Sequence, residues 1–278
     1  MIGFYKKHID FIASHAVDPD KRRFSNDNEA PRHYIDIDHY GVSPFDSVPK
    51  YWTKAVEKYS EDTLLAYGIL PWRIEQMEFS LTKAFQEGDV KKILHVSAEL
   101  GHYIADAHVP LHTTENHDGQ LTNQKGIHAF WESRIPELKA DKYDYLVGKA
   151  VYVDKPLEMA WKIIKASHSE VDSVLKFEAD LNSKFPSDKK YSIEQKGKKN
   201  IKVYSVEYTE AYDAMLKGMS ERRMRAAIYM VSCYWYTAWV NAGQPDLDKM
   251  TDNRNSKEVV TDSISGKKIK HKFKVNEE

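Results

Sequence analysis

The sequence predicts a mainly α, single-domain protein, on three observations. Apolar residues recur every three or four positions through most of the chain. Prolines and glycines fall at the ends of those periodic stretches, where helices start and stop. The one convincing strand signal is YSIEQKGKKNIKVYSVEY, residues 191 to 208, which reads as a small β-hairpin around Gly197.

The elements follow in order. Ile2, Tyr5, Ile9 and Ile12 give a first helix a stripe that Pro19 ends. Two more helices run from Lys50 to Tyr67 and from Pro71 to Gln86, separated by Gly68. Pro71 suits a first turn, where its missing N–H costs little. Asp89 is placed to cap the next helix, which carries Val90, Ile93, Leu94, Leu100 and Ile104 before Pro110 stops it. Pro156 to about Asn182 forms another. A final pair spans Tyr208 to Asn241, interrupted at Gly218 and restarted by Ser220 with Glu221. The helical domain is expected over residues 1–245, followed by a polar tail over 246–278 ending in KKIKHKFKVNEE.

Composition narrows the function classes. With 278 residues, 41% hydrophobic and 30% charged, the chain can bury a sizeable core. A formal net charge of -1 gives no global field for nucleic acid or an anionic membrane. A single cysteine, Cys233, excludes an internal disulfide and any Cys-based zinc site, and is expected as a small core residue. No stretch reaches the roughly 18 apolar residues of a membrane span. The opening residues lack the apolar core and cleavage site of a signal peptide.

Histidine is distributed unevenly. Six of the 12 histidines, His95, His102, His108, His112, His117 and His128, fall within residues 95 to 128. Residues four apart share a helix face, so His102 and Asp106 can present an imidazole and a carboxylate to one ion. His112 follows beyond Pro110, and His128 with Glu132 repeats the four-residue spacing. A solvated face would explain either pair alone; two pairs joined by DAHVPLH form a ligand framework. Without cysteine, Zn²⁺ prefers His nitrogen and carboxylate oxygen, and His112, His128 and Glu132 satisfy a three-ligand set. His102 and Asp106 need further donors for another, and Asp106 can bridge two ions.

GHYIADAHVPLH followed by GIHAFWES resembles the zinc-dependent phospholipase C and S1/P1 nuclease family over most of the chain, about Ile2 to Trp239. The resemblance implies a multi-helix bundle, zinc ions in a cleft and phosphoester hydrolysis by metal-activated water. It implies that His102 and Asp106 ligate one zinc, with Asp106 also bridging, and that His112, His128 and Glu132 hold another. It further implies an upstream Asp and His. HAVDPDKRRFSNDNEAPRHYIDID supplies His33 and two candidates for the aspartate, Asp18, which is favoured, and Asp20. Asp18 would also orient or deprotonate the attacking water.

The family's third zinc is held by a mature N-terminal tryptophan and a following histidine, for which Asp18 lies too close to Met1. The expectation is therefore two sites largely complete here, with a third and an export signal in a longer form, and secretion or periplasmic location by resemblance. The substrate is a phosphodiester, phospholipid first because Glu132 suits that branch, single-stranded nucleic acid as the alternative. A non-catalytic zinc-stabilised helical module that binds a partner is the reading from another class. Tyr34, Tyr40, Phe130 and Trp131 could stack bases but are expected in the core, Arg32 and Arg134 could bind phosphate or form surface ion pairs, and His168 and His271 are expected to be solvated. Oligomeric state is left open.

Overall fold

The computed structural model describes residues 1–250, so residues 251–278, with most of the expected tail and His271, lie outside the described residues. The fold is mainly helical. Its centre is an antiparallel pair, α7 (Leu70–Glu87) and α8 (Val90–Ala107). Gly88 ends α7 in the left-handed conformation at φ 69°, and the Asp89 carboxylate accepts from the Lys92 N–H at 3.0 Å to start α8. Helix α11 (Pro156–His168) and the long α14 (Met219–Asn241) pack on this pair. The main core lies between them, built on Leu70, Ile74, Leu81, Phe85, Ile93 and Ile164, all fully buried.

The first expected helix is three: α1 (Ile2–Lys7), α2 (Ile9–His15) and α3 (Asp18–Arg22). The break at His8 resets the helical phase. Tyr5 and Ile12 are buried as the stripe requires, while Ile2 and Ile9 stay exposed. After the short α4 (Pro44–Ser47), the expected helix from Lys50 to Tyr67 divides into α5 (Trp52–Tyr59) and α6 (Glu61–Tyr67). Ser60 makes that break at φ 70°, and its hydroxyl accepts from the Thr63 N–H as the cap of α6. The stretch from Pro156 divides likewise, into α11 and α12 (Val171–Asn182).

A second, smaller core stands beside the first. It joins α12, α13 (Val206–Leu216) and the segment that begins at α9 (Ile127–Ala129), continues through a π-helical turn at Phe130–Arg134 and ends in α10 (Ile135–Lys139). Pro136 has no N–H to offer the carbonyl of Glu132, and the Ile135 N–H bonds five residues back to Phe130, which widens the turn that carries Glu132. The hairpin is real but shorter than expected: β1 (Tyr191–Lys196) pairs antiparallel with β2 (Lys199–Tyr204), Tyr191 opposite Tyr204. Ser205 ends it, because its hydroxyl accepts from the Tyr208 N–H and starts α13 instead.

The hairpin props the π turn from behind. The Tyr204 ring stacks on Phe130 at 3.8 Å between centroids, and Arg134 donates from Nε to the Tyr204 carbonyl at 3.0 Å while its guanidinium pairs with Glu194. Burying a Phe of this kind contributes about 1.5–3 kcal/mol. Phe130 and Trp131 are therefore core, with Cys233 in the interior of α14. Among the described residues no helix is long and apolar enough to cross a membrane.

Candidate metal centre

Helix α8 carries a polar stripe, His95, Glu99, His102 and Asp106, on the face opposite its core residues. The stripe meets α2, α3 and the segment around His33. That segment is fixed by main-chain bonds: Ile69 N–H to Pro31 O at 2.7 Å, Leu70 N–H to Tyr34 O at 3.2 Å and Asp36 N–H to Tyr67 O at 2.7 Å. Gly68 permits the close approach, at φ 91°, since a Cβ there would stand 2.2 Å from the Tyr34 carbonyl oxygen.

His33, His102, Asp106 and Asp20 converge. His33 Nδ1 lies 3.0 Å from Asp106 Oδ2 and 3.0 Å from His102 Nε2, which is itself 3.3 Å from Asp106 Oδ2. Asp20 Oδ1 completes the group at 3.7 Å from His33 Nδ1 and 3.8 Å from His102 Nε2. Asp18 is not among them. It sits near His15 and His95, and its carboxylate accepts from Lys21 Nζ at 2.8 Å. On one helical turn, residues two apart point some 200° apart, so Asp18 and Asp20 cannot serve the same group.

The opposite nitrogen of His33, Nε2, is buried without a hydrogen bond and faces Glu29 Oε1 at 3.6 Å. Glu29 is a fully buried carboxylate held by Arg22 at 3.2 Å, by Arg32 at 3.0 Å and by the Tyr103 hydroxyl. Burial alone would raise its pKa, but the facing His33 imidazole, the Tyr103 hydrogen bond and the two guanidiniums hold it well below the ordinary carboxylate range. A carboxylate behind an imidazole is the outer arrangement that fixes a ligating histidine's tautomer and orientation. Nothing in the spacing of the sequence marks Glu29, because its role depends on burial. Arg32 is buried against it and is no free phosphate binder.

His112, His128 and Glu132 form a second group. His112 Nδ1 donates to the His33 carbonyl at 2.6 Å, and His128 Nδ1 donates to the His117 carbonyl at 3.0 Å. Both rings thus turn an Nε2 lone pair inward, 3.2 Å apart, with Glu132 Oε2 at 3.5 Å and 3.2 Å from them. Asp118 steadies this side by accepting from the N–H groups of Gly126 at 2.9 Å and His128 at 3.3 Å. The turn to His112 is fixed by α14, since Arg223 Nε donates to the His108 carbonyl at 2.8 Å. Ile35 N–H bonds the His112 carbonyl at 2.9 Å, so the two groups share one backbone frame.

The electrostatics are those of a cation site. Burial disfavours a charged His112, yet Asp106 and Glu132 outweigh it and push its pKa up to about 9. Burial would raise Glu132 and Asp106, but the surrounding histidines hold both below the ordinary range. Two facing Nε2 lone pairs beside carboxylates repel unless a proton or a metal ion lies among them, and the His₂-carboxylate donor set fits Zn²⁺. Elsewhere, His168 is not solvated as expected: its Nδ1 donates to the Thr113 carbonyl at 2.9 Å and steadies the short 3-10 turn that carries His112. Arg134 is buried rather than on the surface.

Comparison with curated proteins finds no match. The family profile described as zinc dependent phospholipase C matches residues 2–193, which spans α1 through the first residues of β1 and includes both groups of converging ligands. On that match, the chain belongs to the zinc-dependent phospholipase C family.

Proposed function

We propose that this chain hydrolyses the phosphodiester of a phospholipid, releasing the phosphorylated headgroup, with zinc held by the two converging groups. The observation that carries the reading is the pair of inward Nε2 atoms of His112 and His128, 3.2 Å apart over Glu132, next to the group of His33, His102, Asp106 and Asp20. His112, His128 and Glu132 would hold one ion, and His33, His102, Asp106 and Asp20 the other. Zinc in such a pair supplies charge neutralisation for the phosphoryl oxygens and a water of lowered pKa.

The chain's own residues supply the rest. Asp20, with its side chain half exposed and its Oδ1 facing His33 and His102, takes the role of orienting the attacking water and accepting its proton. Glu29 faces His33 from behind, and the His117 carbonyl accepts from His128 Nδ1, so that both rings stay aimed before substrate arrives. The family's description supports a phospholipid as substrate.

The test is hydrolysis of phosphatidylcholine in detergent micelles, with single-stranded DNA as a parallel substrate. Headgroup release that EDTA abolishes, zinc restores and His112→Ala with His128→Ala removes is the expected result. Cleavage of DNA alone assigns the nuclease reading. Bound zinc with no turnover of either substrate assigns a zinc-stabilised binding module and overturns the proposal.

A further inference from the structure

We propose that His15, Asp18 and His95 form a separate binding site for a divalent transition cation of the zinc type, which fastens the amino-terminal helices to α8. One ligand atom from each of the three lies within 4.8 Å of the other two, and all three residues are half-buried. They come from three elements, α2, α3 and α8. The site stands apart from the groups already described. On α8, His95 precedes His102 by seven residues, about 10 Å of helix rise. Between them Glu99 is engaged by Arg22 Nη1 at 2.6 Å.

The ring geometry is that of prepared ligands. His15 Nδ1 donates to the Phe11 carbonyl at 2.8 Å, which leaves Nε2 with its lone pair, the same device that sets His112 and His128. Phe11 stacks on His15 with centroids 3.9 Å apart and meets His95 edge-on at 4.8 Å, so one side chain holds both imidazoles. The two imidazoles stand perpendicular, 89° between planes and 4.7 Å between centroids. Asp18 uses Oδ1 for Lys21, and its Oδ2 remains able to accept.

Two imidazoles and a carboxylate select zinc-like ions over calcium or magnesium, which favour all-oxygen sites. Three protein ligands at a half-buried position leave a fourth for water. The consequence is mechanical. Asp18 and Asp20 share α3, so an ion that pins Asp18 to α8 also sets the position of Asp20. The site does not depend on which reaction the main centre performs.

The test counts zinc by elemental analysis in the full chain after EDTA stripping, reloading and desalting, and titrates zinc against a chromophoric chelator. His15→Ala with His95→Ala should lose one ion per chain relative to the parent, with an unchanged circular dichroism spectrum in EDTA. Asp18→Asn, which leaves the Phe11 packing intact, should weaken the same binding event at least tenfold, and it decides the matter should the double variant misfold. His112→Ala with His128→Ala should lose a different ion and keep this one, so failure of the main centre is read separately. Parental zinc counts and affinities in both the double variant and Asp18→Asn would overturn the proposal.

Discussion

His112 and His128 meet through their Nε2 atoms at 3.2 Å, each ring donating its Nδ1–H to a main-chain carbonyl. Two ring nitrogens held in that way beside Glu132 gather a cation in the folded chain alone, so zinc binding and folding are coupled. Free zinc at about 1,000 times its Kd stabilises the native state by about 4 kcal/mol. Calorimetry should therefore show melting roughly 10 °C lower in EDTA than in zinc. An identical melting temperature in both would mean that the histidines do not gather a metal ion.

Glu29 acts on the centre from behind His33. Glu29→Gln keeps the shape and removes the charge that His33 Nε2, Arg22 and Arg32 face. Loss of such an outer carboxylate costs about 10–100-fold in metal affinity. A zinc competition titration checks this, and an unchanged affinity would reduce Glu29 to a structural ion-pair partner of the two arginines.

The neighbouring aspartates should separate cleanly. Asp20→Asn removes the carboxylate that faces His33 and His102, and phosphodiester hydrolysis should fall by about 100-fold or more. Asp18→Asn should cost less than a tenth of that factor, because Asp18 faces His15 and His95. Comparing kcat/KM of the two variants checks the assignment; the reverse order would restore Asp18 to the role that the sequence favoured.

Gly68 supports the centre without touching it. At φ 91°, with the Tyr34 carbonyl oxygen 2.2 Å from an added Cβ, Gly68→Ala forces both a left-handed alanine and a displaced backbone beside His33. The strain is about 1–3 kcal/mol before the clash is counted. Urea denaturation in EDTA should show a loss of at least about 2 kcal/mol, and zinc affinity should drop with it. A variant as stable as the parent would mean that the 31–36 segment gives way freely.

Glu78 provides a pH signature far from the ligands. Burial raises its carboxyl pKa, and hydrogen bonds from Thr82 and Asn241 offset this only in part. With the folded pKa above the unfolded one, the group's contribution is fully present below the unfolded pKa of 4.5 and is lost as pH rises through the folded value. Glu78→Gln mimics the protonated form. It should match the parent at pH 4 and melt higher at pH 7, by about 2–4 °C per kcal/mol. An offset that does not change with pH would contradict the shift.

Much of this architecture is legible in the residues. The α7–α8 pair follows from Pro71, Gly88 and Asp89, and the hairpin from its alternation about Gly197. His102 with Asp106, and His128 with Glu132, stand in the sequence at the spacing at which the structure gathers them. What was not legible depends on tertiary placement. Ser60 and His8 carry no strong breaker signal, yet packing divides their helices there. Asp18 and Asp20 are chemically equivalent in a DPD turn, and only the docking of α3 on α8 decides which one meets His33. Glu29 reads as one acid among many until its burial is known.

The most direct test of the two-group centre is a crystal structure of the zinc-loaded protein with anomalous scattering recorded on both sides of the zinc absorption edge. The account predicts one peak among His33, His102, Asp106 and Asp20 and another among His112, His128 and Glu132. Zinc-soaked crystals with no anomalous peak at either group would contradict it.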